Sequence, residues 1–259
     1  MTDTSPTRWP AGRMLRWIFA LQVVFAAVLL GSDLLRVLPQ MALRSDAPDL
    51  TQPLGPGDQT RRYDPQDVTP HAPRPGSRPI PTTTDMPSRL DFVDTVWNGE
   101  PTITLTGQIA PGDAARFDDF LTTVDPAPTL AFLNSPGGSV NDALAMGRTL
   151  RALGSATRMT ATDICLSACP YLLAAGTTRN VEDGALVGVH QHYFGENTAL
   201  PAFMAVADIQ RGQGEVMEYL DDMGIDPLIM RPALATPPDE IYLLTAPEME
   251  QYQLTTPAE

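Results

Sequence analysis

The stretch Asp163-Ile164-Cys165-Leu166-Ser167-Ala168-Cys169-Pro170-Tyr171-Leu172-Leu173-Ala174-Ala175-Gly176 decides how the rest of the chain is read. A run rich in β-branched residues, Thr160 to Ile164, ends there, a serine stands at the break, and a helix of small apolar residues follows. A serine at such a strand-to-helix corner has its hydroxyl lifted off the sheet edge, with the amides of a helix N-terminus close by. Upstream, Phe132-Leu133-Asn134-Ser135-Pro136-Gly137-Gly138 reads as a strand entering a turn whose bare N–H groups can face an oxyanion. Downstream, Val187-Gly188-Val189-His190-Gln191-His192 reads as a strand carrying the only histidines in the second half of the chain. Nucleophile, oxyanion donors and base therefore come from one contiguous region.

Outward from this corner, strands are predicted over 102–109, 129–133, 156–164, 185–193 and 241–244. They alternate with helices over 111–121, 139–153, 168–175, 199–223, 227–235 and 247–252. The helix at 139–153 is amphipathic, with Val140, Ala143, Leu144, Gly147 and Leu150 inward and Gly154 as its stop. This alternation predicts an α/β domain over residues 90–259, a largely parallel sheet with flanking helices.

The N-terminal third is different. Residues 1–16 form a polar tail with Arg8, Arg13 and Arg16. From Trp17 to Leu30 the chain is apolar apart from Gln22, and Gly31 to Leu38 extends the run, so 17–38 reads as one transmembrane helix. Leu30-Gly31-Ser32-Asp33-Leu34-Leu35 is a poor cleavage site, which favours an uncleaved signal anchor. Arginines ahead of the span put the tail in the cytoplasm and everything after it outside. Residues 39–89 are proline-rich with no apolar periodicity, and a disordered linker is expected there. His71 lies inside it and reads as a solvated histidine.

Charge and residue usage narrow the chemistry. A formal charge of −14 over 259 residues excludes nucleic acid as a partner, since nothing supplies a basic stripe. The sequence contains no lysine, and its arginines do not accept protons near neutral pH. A general base must then be a histidine or a carboxylate, and the histidines are His71, His190 and His192. The only cysteines, Cys165 and Cys169, flank Ser167 symmetrically. They read as a disulfide, as two small buried thiols, or as half of a zinc site with His190 and His192. The close His-x-His spacing and the loss of the base count against zinc, and no metal or other cofactor is expected.

From Ile103 to Thr255 the chain resembles the proteolytic subunit of the Clp protease, within the wider Clp/crotonase superfamily. Leu105-Thr106-Gly107-Gln108-Ile109 resembles that family's first core strand, and Asn134-Ser135-Pro136-Gly137-Gly138 its oxyanion loop. Ser167 to Gly176 is similar to the nucleophile helix, Val189-His190-Gln191 to the base-bearing strand, and Leu244-Thr245-Ala246-Pro247-Glu248 to the closing segment. The resemblance implies Ser167 as nucleophile, His190 as base, an oxyanion hole from Gly137, Gly138 and Ala168, and a substrate groove along Ser139, Gln191 and His192. The family's acid falls near Thr236 and Pro237, where no carboxylate stands, so Asp239 is the expected orienter of His190. Cys165, Ala168 and Cys169 also depart from the residues usual around the family's serine.

The expectation is a serine peptidase tethered to a bacterial inner membrane, its domain in the periplasm, acting on extracytoplasmic peptides or proteins. An ATP-driven unfoldase is not carried over to that setting, while a homo-oligomer is suggested by the family's ring assembly. A serine–lysine mechanism is excluded by the missing lysine. The rival readings are an inactive scaffold that binds peptides or a membrane partner, and an acyl-CoA enzyme of the crotonase type. The anchor disfavours the latter, whose coenzyme is cytosolic.

Overall fold

The structure, a computed structural model, describes residues 11–42, 50, 54–66, 68, 76–79, 85–192 and 202–257. The chain divides into two units, Met1–Ala47 and Pro48–Glu259. His71 and the first residues of the helix predicted at 199 lie outside the described residues.

Among its described residues the first unit is one helix, α1 (Ala11–Ala42). Within it Gly12–Ser32 is long and apolar enough to cross a membrane, and none of that stretch is buried. Its 21 residues span about 31 Å at helical rise, close to the thickness of a bilayer's hydrocarbon core.

The second unit is mixed α/β. In chain order it runs β1 (Thr60–Arg62), β2 (Asp91–Trp97), β3 (Glu100–Thr106), α2 (Asp113–Leu121), β4 (Leu130–Asn134), α3 (Val140–Leu153), β5 (Ala156–Met159) and β6 (Ile164–Leu166). It continues with α4 (Cys169–Ala174), β7 (Arg179–Val181), β8 (Leu186–Val189), α5 (Ala202–Asp222), a 3₁₀ turn at Pro227–Ile229 leading into α6 (Met230–Ala235), β9 (Glu240–Leu243) and α7 (Ala246–Gln251).

These strands form two sheets, of order β2-β3-β4-β5-β7 and β1-β9-β8-β6. In the first, β3, β4, β5 and β7 are parallel and β2 closes one edge antiparallel. All five residues of β4 are buried, as a parallel strand covered on both faces requires, which explains the unbroken run Leu130-Ala131-Phe132-Leu133. In α3, Ser139 caps the N-terminus by accepting from Asp142 N, and Gly154 ends the helix at φ 73°. Gly147 leaves room for the Tyr219 hydroxyl, which donates to Tyr171 O at 2.7 Å and ties α3, α4 and α5 together.

Two expectations are corrected. The run 156–164, read as one strand, is two strands in two sheets. At the break the Asp163 carboxylate accepts from Thr160 N at 2.6 Å and Thr160 Oγ1 at 2.7 Å, turning the chain between them. That carboxylate is fully buried against Arg78 Nη1 at 2.7 Å; burial pushes its pKa up and the guanidinium opposes the rise.

The second correction concerns the linker. Its described residues do not behave as a spacer, for β1 pairs antiparallel with β9, and Arg61, Tyr63, Val68 and Arg78 are buried. Tyr63 and Val68 form an apolar cluster with Ile164, Leu166, Ile241 and Leu243 over the four-stranded sheet. Sequence periodicity also missed β2 and β7. Asn98 and Gly99, both at positive φ (52° and 86°), make the tight hairpin from β2 to β3, and an Asn-Gly pair is a signal for such a turn.

Candidate active site

Every strand of the second sheet presents a residue to one place. β6 and β8 are parallel, and their C-terminal ends lead into Ser167 and His190. β9 runs the other way, so Pro238 and Asp239 just before its start lie at the same edge. β1 is antiparallel to β9, and Tyr63 follows its last residue. The first sheet contributes the turn after β4, Ser135 to Gly138, which is laced to β6 by Ser135 N to Ile164 O at 2.8 Å and Leu166 N to Ser135 O at 3.1 Å. These pieces line a cleft of about 900 Å³ that includes Tyr63, Gly138, Ser139, Ser167, His190 and His192.

Ser167 sits at φ 60°, in the left-handed region that a residue with a Cβ enters only when its surroundings enforce it. Its own N–H is held by Gly188 O at 2.9 Å. The structure joins Cys165 and Cys169, one on each side, in a disulfide with Cα atoms 5.0 Å apart. A disulfide sulfur is not a thiolate, so the zinc reading loses its ligands. Among the described residues no group of three or more His, Cys, Asp or Glu side chains is arranged to hold a metal.

The Ser167 hydroxyl lies 2.7 Å from His190 Nε2. The other ring nitrogen, Nδ1, is 3.1 Å from the carbonyl oxygen of Pro238. A carbonyl only accepts, so Nδ1 carries the proton and the Nε2 lone pair faces the serine. The expected orienting carboxylate of Asp239 is thus replaced at Nδ1 by the main-chain carbonyl of the residue before it. Asp239 itself lines the cleft. Sequence reasoning had no signal for this, since any residue carries such a carbonyl. Burial holds His190 below its ordinary pKa, and the Pro238 and Pro237 carbonyls pull partly against that. The imidazole is therefore neutral, and able to accept a proton, at neutral pH.

The glycine turn supplies the third component. A Cβ on Gly137 (φ 97°) would strike Leu166 O, and would come within 2.6 Å of Ser167 Cβ and 2.9 Å of Ala168 N, so the turn lies flush on the nucleophile corner. Gly137 gives space and not a donor, because its N–H is taken by Ser135 Oγ at 3.0 Å. Gly137 O accepts from Ile109 N at 2.8 Å, which fixes the next peptide plane. Among the described residues, no hydrogen-bond acceptor takes the N–H of Gly138 or of Ala168. Two amide donors are thus left beside the serine, the requirement for holding an oxyanion.

The groove residues part company. Ser139 and His192 line the cleft, whereas Gln191 braces the far side, its side-chain amide donating to Leu234 O at 2.7 Å and its N–H to Thr236 O at 3.0 Å. His192 Nε2 pairs with the Tyr171 hydroxyl at 2.6 Å. Burial, with His190 nearby, lowers its pKa to about 4, so it stays uncharged. Tyr63 was missed altogether, because its segment was read as linker. Its ring stands edge-on to His190 with centroids 5.0 Å apart, and its hydroxyl donates to Pro136 O.

In the comparisons with known proteins, no family model matches the chain and no curated protein matches it.

Proposed function

We propose that this chain is a membrane-anchored serine hydrolase of the Clp/crotonase type, a peptidase acting on extracytoplasmic peptides or proteins. One observation carries the proposal: the 2.7 Å contact from Ser167 Oγ to the proton-accepting nitrogen of a buried, neutral His190. Ser167 attacks the substrate carbonyl while His190 Nε2 takes the hydroxyl proton. The N–H groups of Gly138 and Ala168 hold the oxyanion of the tetrahedral intermediate. His190 returns the proton to the leaving amine, and water then releases the acyl group by the same path. The Pro238 carbonyl keeps the imidazole in the working tautomer and faces the imidazolium as it forms. A dipole does this more weakly than a carboxylate, which predicts a slower enzyme than one with a full triad.

The expected placement is a cytoplasmic N-terminus, one crossing of a bacterial inner membrane, and the domain on the periplasmic side. The disulfide beside Ser167 supports an oxidising compartment. The test is reaction of the folded protein with a fluorophosphonate, expected to label the wild type and to leave Ser167→Ala unlabelled. The carbonyl in place of a carboxylate favours one second reading, a scaffold that binds peptides or a membrane partner without cleaving them. Folded wild-type protein that takes no label would establish that reading over the first.

A further inference from the structure

Tyr63 stands among the reacting groups, yet it comes from a segment that precedes the α/β core and follows the apolar helix in sequence. Its ring is buried and packs edge-on against His190 with centroids 5.0 Å apart, on a side of the imidazole left to it by Ser167 at Nε2 and Pro238 at Nδ1. Its hydroxyl donates to Pro136 O, and the Ser167 hydroxyl lies beside it in the same cleft. The Pro136–Gly137 peptide is thereby held at both ends, its carbonyl by Tyr63 and its N–H by Ser135 Oγ at 3.0 Å. That plane precedes the one that presents the Gly138 N–H. One phenol packs against the base, shares the cleft with the nucleophile and bonds the loop that holds the oxyanion.

The delivery of this side chain is built into the sheet. Tyr63 N donates to Asp239 O at 3.0 Å, which continues the β1–β9 pairing one residue past Arg62 opposite Glu240. Below it, Leu243 N donates to Gln59 O at 2.9 Å, and the Gln59 amide donates to the Tyr242 hydroxyl and to Glu248 Oε2, both at 2.7 Å. The same strand pair thus sets the height of Tyr63 and the position of Pro238, whose carbonyl fixes the His190 tautomer.

We infer that Tyr63 is a positioning residue of the active site, and that docking of the segment at 59–63 as an added edge strand completes that site. The inference rests on the hydrolase reading, because positioning has meaning only if Ser167 and His190 react. The segment following the membrane helix is then a working part of the enzyme. A chain from which β1 is undocked keeps the core α/β fold with a misaligned nucleophile and oxyanion loop.

The test compares full-length wild type, Tyr63→Phe, Tyr63→Ala and Arg62→Ala in detergent, reading the rate of fluorophosphonate labelling and the NMR titration of His190. Arg62 lies on the same strand with its side chain exposed, and its variant is expected to label at the wild-type rate. Tyr63→Phe keeps the ring and loses the hydroxyl. It is expected to label more slowly by up to about a hundredfold, the scale of an ångström's misplacement of reacting groups, with little change in the His190 titration. Tyr63→Ala is expected to label at least as slowly and to raise the His190 pKa, because the ring that buries the imidazole is gone. Wild-type labelling rates in both Tyr63 variants would overturn the inference while leaving the hydrolase reading in place. If the wild type takes no label, the hydrolase reading fails and the inference fails with it.

Discussion

The two sheets of the second unit do different work. The five-stranded sheet is built from neighbours in sequence, β2 to β3 by a two-residue turn and β3 to β4 to β5 through single helices, and its interior is continuous apolar packing. The four-stranded sheet gathers pieces from residues 60, 164, 186 and 240, none longer than four residues, and every one of them has one end at the cleft. The first sheet holds the domain together and offers the loops after β3 and β4 to the site. The second holds the chemistry in register. One apolar core runs beneath both, with Cys165 of β6 and Val187 and Val189 of β8 packed in it. The reacting groups, however, sit at the second sheet's edge, so damage to each sheet should be read out differently.

The largest effect is expected at the second sheet's edge. Ser167→Ala and His190→Ala should each lower the labelling rate by about 10⁴-fold or more, with thermal unfolding close to wild type. A comparable insult to the first sheet should do the reverse. Leu105→Ala in β3 removes a buried side chain and is expected to cost about 2–5 kcal/mol in denaturant unfolding, with the labelling rate per folded molecule unchanged. A labelling defect in that variant would break the division of labour.

Between these limits lies the loop after β4, which is bridged to β6 at Ser135 and Cys165. Gly138 stands at φ 139°, and a Cβ there would strike Ile109 O. Gly138→Ala should therefore displace one oxyanion donor and reduce labelling by about 10²–10³-fold. Removing the disulfide with Cys165→Ala and Cys169→Ala together is expected to cost about 2 kcal/mol by the loop-entropy estimate for so short a ring. It should also slow labelling, since the disulfide ties Cys165 to Cys169 across the strained Ser167. An unaffected rate would show that the sheet alone enforces the φ of 60°.

The difference between the sheets also explains what could be read from the chain. The long periodic elements were legible because each carries its signal locally: β3, β4, α3 with its Ser139 cap and Gly154 stop, and the apolar helix that became α1. Ser167, His190 and the glycine turn were legible because a strand end followed by Ser, His or Gly-Gly is a chemical pattern as well as a structural one. Tyr63 and Pro238 were not. β1 is three residues long in a proline-rich context and becomes a strand only because β9 offers it an edge. The orienter of His190 is a backbone atom, which no residue code announces. The run at 156–164 hid its break for a similar reason, since the Thr160–Asp163 turn is stabilised by a buried Arg78 far away in sequence.

The central claim is that a buried, neutral His190 draws the proton from Ser167, and the pH dependence of covalent labelling at Ser167 tests it most directly. The expected result is a single adduct, mapped by mass spectrometry to the Ser167 peptide. Its rate should rise with pH as His190 loses its proton and level off above a midpoint below 6.5, because burial holds that pKa under the ordinary value. Folded protein that takes no adduct at any pH, or labels with a midpoint well above 6.5, would contradict the account.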